Sequence, residues 1–154
     1  MLSDIEIAKA FITATTNILS TMAGIEAKHG VPYVKKGNVA AGDVSAIVGV
    51  TGPKRGTIAV SFSQACAVAM VRGMLGDDIE DIIQDTQDAV GEITNMVSGQ
   101  ARASLAEKGL VLQGATPSVI MGKNHVISHM TSSPVMAIPF GTESGAFTVE
   151  FCLE

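Results

Sequence analysis

The sequence predicts an α+β fold: two degenerate helix–strand–hairpin repeats, with long helices packed on a mostly antiparallel sheet. Three observations predict it. Each half opens with a long stretch whose apolar residues recur at helical spacing. Apolar and β-branched runs separated by glycine-rich turns follow each stretch. The segment Gly56-Thr57-Ile58-Ala59-Val60-Ser61-Phe62 is echoed by Gly145-Ala146-Phe147-Thr148-Val149-Glu150-Phe151, each after an apolar strand and a turn. No linker of disordered composition separates the halves, so residues 1–154 read as a single domain.

The elements follow in order. Residues 3–28 read as a helix, with Ser3 and Glu6 as a capping box, Ile7, Phe11, Thr15, Ile18 and Met22 at helical spacing, and Gly30 and Pro32 as the stop. Strand signals come at 31–36, 44–50 and 57–62, the last two joined by the turn Gly52-Pro53-Lys54-Arg55-Gly56. Ser63 caps a second helix, 64–75, ended by Gly76. A long third helix is expected from about Asp78 to Lys108, with Asp77 and Asp78 at its positive end and Gly109 as its stop. Further strands are expected at 110–112, 118–121, 126–131, 135–140 and 146–153.

Composition narrows the function. With 47% hydrophobic residues the chain can build a sizeable core. A net charge of −5 gives no footing for a phosphate backbone or an anionic membrane, so neither nucleic acid nor membrane is an expected partner. The apolar runs are broken well short of a bilayer span, and the acidic start, Ser3, Asp4 and Glu6, is unlike a secretory signal. Cys66 and Cys152 read as small core hydrophobes in a reducing, cytoplasmic setting. His125 and His129 flank a strand or loop without a third ligand, so no metal or cofactor of the chain's own is expected. Lys35 and Lys36 read as solvated turn charges. No GxSxG, GxxxxGK[ST] or GxGxxG is present.

The long third helix carries the chemistry. Ile79, Ile82, Ile83, Thr86, Val90, Ile93, Val97 and Ala101 fall on one stripe, the expected core face. Asp88, Glu92, Asn95 and Gly99 step by four, three and four, so they form a second stripe roughly opposite. An ordinary solvated helix face also produces such a pattern. Against it, Gly99 costs about 1 kcal/mol relative to Ala in a helix interior. Gly91, Ser98 and Ala103 near that face leave little long side chain around Glu92 and Asn95. Such a surface admits a close partner. A carboxylate can pair with a partner's lysine, and an amide, both donor and acceptor, can hold a water in line for attack.

Residues 88–99, DAVGEITNMVSG, resemble the DxxxExxNxxxG signature of the CheX/CheC/FliY chemotaxis phosphatases. The repeat and chain length extend the resemblance to essentially the whole chain, nearest to CheX, which carries one such centre. In the first half Asn17 matches, but Ala14 stands where a second centre would need glutamate, so that site is expected to be dead.

The resemblance implies removal of the phosphoryl group from the aspartate of a CheY-like response regulator. Glu92 would bind the regulator's lysine, and Asn95 would enter its phosphorylation site and position the hydrolytic water. Asp88 would orient the contact, and Gly99 would permit close docking. Mg²⁺ is expected on the regulator. The resemblance also implies a homodimer joined through the sheets, with the strands at 135–140 and 146–153 as candidate edges, although Pro134 and Pro139 make the first a poor one. The rival readings are a non-catalytic adaptor or flagellar-switch module of the same fold, and a small-molecule sensor.

Overall fold

A computed structural model describes residues 2–129 and 131–154. Helix α1, Asp4–Ala23, starts at the expected capping box: Ser3 Oγ accepts from the Glu6 amide at 3.2 Å, and the Glu6 carboxylate accepts from the Ser3 amide at 3.3 Å. It ends earlier than the sequence suggests. Gly24 adopts φ 65°, and the Gly24 and Ile25 amides donate back to Ser20 and Leu19, closing the helix before Gly30 is reached.

The strand signal at 31–36 shrinks to the short β2 (Tyr33–Val34), and a strand the sequence did not suggest, β1 (Lys28–His29), precedes it where the first helix was expected to end. Strands β3 (Val44–Thr51) and β4 (Gly56–Phe62) form the expected hairpin, with Val50 opposite Gly56. Helix α2, Gln64–Leu75, follows the Ser63 cap. Helix α3 spans Ile82–Glu107, four residues shorter at its start than expected. The cap is Asp81, whose Oδ1 accepts from the Ile83 and Gln84 amides, so Asp77 and Asp78 lie before the helix.

After α3 come β5 (Gln113–Gly114), β6 (Ser118–Met121), β7 (Met136–Thr142) and β8 (Gly145–Leu153). The strand expected at 110–112 is absent. Leu110 and Leu112 are instead buried in the core between α3 and β5. The one expected at 126–131 reduces to a single bridge, Val39 opposite Val126, and Met130 lies outside the described residues.

All strand pairs are antiparallel, in the order β1-β7-β8-β4-β3-β5, with β2 also on β7 and β6 also on β3. The two hairpins meet at β4 and β8, where Val60 faces Val149. These are equivalent positions of the two repeated segments, so the register is that of a local two-fold relation between hairpins. Helices α1 and α3 lie side by side on one face, as the repeat predicts. Ile58, Val60, Phe62, Phe147, Val149 and Phe151 point towards them. Phe11 of α1 stacks on Phe151 at 5.2 Å, and Phe62 and Phe140 stack on Phe147.

Two expectations about edges are corrected. β8 is central, bonded to β4 and β7 along its length, and cannot be a free edge. β7 is fully paired to β8 despite Pro139, because the Pro139 carbonyl accepts from the Gly30 amide at 2.8 Å on the other side. A strand residue's nitrogen and carbonyl share a side, so the missing donor of Pro139 faces the gap between β1 and β2 and costs no bond to β8.

Candidate functional site

Helix α3 holds the candidate site. Thr86, Val90, Ile93, Val97 and Ala101 are buried as expected, joined by Ala89, Thr94, Ser98 and Leu105. Ile82 and Ile83 are not part of this face. They are 42% and 63% exposed, on the first turn of α3. From Thr86 onward the helix is seated against α1, α2 and β3, and its outer stripe is held in place from behind.

Asp88, Glu92 and Asn95 are exposed and Gly99 is half-exposed. The structure brings all four to one face of one helix, as the spacing requires. Side chains one turn apart have Cβ atoms about 5–6 Å apart, so a single partner surface can meet Glu92 and Asn95 together. Asp88 Oδ1 accepts from Gln84 Nε2 at 2.9 Å, which fixes that carboxylate along the helix. Glu92 and Asn95 have no hydrogen-bond partner among the described residues, so both present their full polar capacity to solvent.

The glycines on this face have different causes. A Cβ on Gly91 would stand 3.3 Å from Val119 Cγ2 of β6, so packing inside the chain accounts for it. A Cβ on Gly99 would meet only Arg102 Nη2, at 4.0 Å. Nothing in the fold requires glycine at 99, where alanine would favour the helix by about 1 kcal/mol. Ser98, expected near the open face, is fully buried instead, and its Oγ accepts from Arg102 Nε at 3.1 Å.

The corresponding face of α1 is different. Ala14 is buried, and Asn17 is exposed but turned to α3, where its Nδ2 donates to Gln100 Oε1 at 3.1 Å. Asn17 therefore stitches the two long helices together.

The helix-free side of the sheet holds polar groups that the sequence reading missed. Glu150 is 0% exposed, with Lys35 Nζ 3.0 and 3.2 Å from its two oxygens and His129 Nε2 2.7 Å from one of them. Lys35, expected as a solvated turn charge, is thus a buried ion-pair partner. On the same side Ser45 Oγ lies 2.7 Å from Ser61 Oγ and 2.6 Å from His125 Nε2. Alternation along β8 placed Glu150 opposite the phenylalanine face, and that was the only available signal. Among the described residues no group of three His, Cys, Asp or Glu side chains is placed to hold a metal ion, and no helix is long and apolar enough to cross a membrane.

Known proteins share this fold. The family model "Chemotaxis phosphatase CheX" matches residues 44–141. The chemotaxis protein CheX of Desulfovibrio desulfuricans is 70% identical, with TM-score 0.92 over 97% of this chain and 99% of that one. The CheY-P phosphatase CheX of Thermotoga maritima is 26% identical over 122 residues, 79% of each chain. The Borrelia burgdorferi structure of a CheX–CheY–BeF3–Mg²⁺ complex contains the same fold at 23% identity, with TM-score 0.82 over 97% of this chain and 99% of that one. With most of its length matched by the family model and its whole architecture shared with solved relatives, the chain belongs to the CheX family of chemotaxis phosphatases.

Proposed function

We propose that this chain is a protein aspartyl-phosphate phosphatase acting on a phosphorylated CheY-like response regulator, with Glu92 and Asn95 as its working residues. One observation carries the reading: an unpartnered carboxylate and amide stand one turn apart on the outer face of a helix anchored from behind. The names of two relatives support it, a CheY-P phosphatase and a CheX solved in complex with CheY, BeF3 and Mg²⁺.

In this reading the regulator supplies the aspartyl phosphate and the Mg²⁺, and this chain supplies no metal. Glu92 pairs with the regulator's lysine and sets the register of docking. The Asn95 amide holds a water in line with the bond to be broken. The water oxygen forms a bond to phosphorus as the bond to the aspartate oxygen breaks, leaving inorganic phosphate and a free carboxylate. Positioning of this kind, without a covalent step on the catalyst, is the main task in phosphoryl transfer. Asp88, tied to Gln84, steers the contact, and Gly99 lets the partner approach the helix backbone.

Phosphate release from a phosphorylated CheY-like regulator of the same organism tests this, with wild type, Glu92→Ala and Asn95→Ala. Wild type accelerates decay and each variant loses most of the gain, by a factor on the order of 10² for the positioning residue. If regulator binds but decays at its own rate with wild type, the domain is a non-catalytic adaptor. If Asn95→Ala keeps full activity, the water-positioning role is wrong.

We also propose that the chain is one domain that forms a homodimer through the outer strand β2, not through β8. Val31 and Val34 are 83% and 53% exposed there, beside exposed Tyr33. An exposed apolar sheet edge is a template for pairing with another chain.

A further inference from the structure

We infer that Arg102 is a rim cation of the Glu92–Asn95 face, pre-set to pair with a carboxylate on the regulator beside its phosphorylation pocket. It is a specificity residue and takes no part in the bond-making. The inference rests on the phosphatase reading above.

The first observation is charge. Arg102 is the one basic residue of α3, against Asp85, Asp88, Glu92 and Glu107. It lies seven residues beyond Asn95, about two turns or ~10 Å along the axis, and three beyond Gly99. Among the described residues it has no carboxylate within ion-pair distance. Its planar fork therefore keeps unused donors suited to a carboxylate.

The second observation is the seat. Arg102 Nε donates to Ser98 Oγ at 3.1 Å, and Nη1 reaches the Leu112 carbonyl at a long 3.5 Å. Across the guanidinium lies Gly114 of β5. A Cβ there would stand 2.7 Å from Cζ and 2.8 Å from Nε and Nη2, so any other residue would push the fork out of its slot. Two chain segments, α3 itself and the stretch 112–114, thus hold one planar cation. In this seat Nη2 lies beside Gly99, 4.0 Å from where a side chain at that position would begin.

A fixed fork loses little side-chain freedom when it meets a planar carboxylate, so the pairing is cheap in entropy. It also gives the face two signs. Glu92 takes a cation at one point and Arg102 takes an anion nearly three turns away, so only a partner with lysine and carboxylate in matching order docks in register. Such paired charges set partner choice and encounter rate more than intrinsic turnover.

The test is steady-state dephosphorylation of a phosphorylated CheY-like regulator by the full chain carrying Arg102→Gln, Arg102→Glu or Arg102→Lys, at low and at moderate salt. We expect KM to rise roughly tenfold for Arg102→Gln and further for Arg102→Glu, while kcat stays within about twofold. Arg102→Lys, which keeps the charge but not the fork, recovers only part of the loss. The salt dependence of KM flattens in Arg102→Gln, because a screened attraction has gone. An unchanged KM in Arg102→Glu overturns the inference, as does a fall in kcat with lowered thermal stability at constant KM. Either result beside an active wild type leaves the phosphatase reading standing. An inactive wild type overturns both.

Discussion

Glu150 is a buried carboxylate that the fold keeps charged. Burial on its own pushes its pKa up, but hydrogen bonds from His129 and Lys35, with their positive charge, outweigh that and hold the carboxyl below the ordinary glutamate range. The sign of the pH effect follows. A folded-state value below the unfolded one contributes stability above the unfolded value, and the contribution is lost as pH falls through the folded value. Thermal melts should therefore weaken in acid, below the ordinary glutamate range, and less so in Glu150→Gln. At neutral pH Glu150→Gln should itself cost roughly 3 kcal/mol, because Lys35 is left buried without a counter-charge. An identical acid profile for wild type and variant would show that this carboxylate does not govern the transition. Glu92 and Asn95 were legible because helical spacing brings residues three apart onto one face whatever the fold. Lys35 and Glu150 were not, being 115 positions apart and joined only by the pairing of β7, β8 and the segment after β2.

Elements were read best where a local signal both starts and stops them. Ser3 and Glu6, or Ser63 before α2, act within one turn, and the structure keeps them. Ends were misplaced where two local signals competed: Gly24 closed α1 before Gly30, and Asp81 took the α3 cap from Asp77 and Asp78. Contacts between elements give constraints that no window of sequence contains. Gly73 of α2 is one: a Cβ there would lie 2.0 Å from the Ala23 carbonyl oxygen and 2.9 Å from its carbon, at the end of α1. Alanine in a helix normally gains about 1 kcal/mol over glycine. Here the obstacle is backbone that cannot rotate aside, so overpacking of about 1–3 kcal/mol should win and Gly73→Ala should melt several degrees below wild type. A higher melting temperature would mean that α2 shifts freely away from α1.

For the whole molecule, the two hairpins meet at Val60 and Val149 and the two long helices lie side by side, so the repeat seen in sequence becomes a near two-fold arrangement around one core. The outward-facing pair of side chains is not repeated with it. Asn95 faces out alone, while Asn17 is turned to Gln100 and lacks a glutamate partner at Ala14. The outer strand β2 leaves Tyr33 and Val34 uncovered. Light scattering on the purified chain should give twice the monomer mass, and Val34→Lys, which places a charge on that edge, should return it to monomer. A monomeric wild type at micromolar concentration, or a variant still dimeric, would rule this edge out.

The sequence by itself determined the α+β class, the repeat, the hairpin of β3 and β4, and the one helical face that carries Asp88, Glu92, Asn95 and Gly99. Each rests on periodicity or on a turn, interactions that close within a few residues. Only the tertiary structure decided that β8 lies at the centre of the sheet, that Ile82 and Ile83 are left exposed, that Ser98 is buried under Arg102, and that Lys35 and His129 meet Glu150. Those outcomes depend on which distant segments become neighbours. Burial and pairing are properties of that neighbourhood, since the same side chain is solvated or buried according to what packs over it.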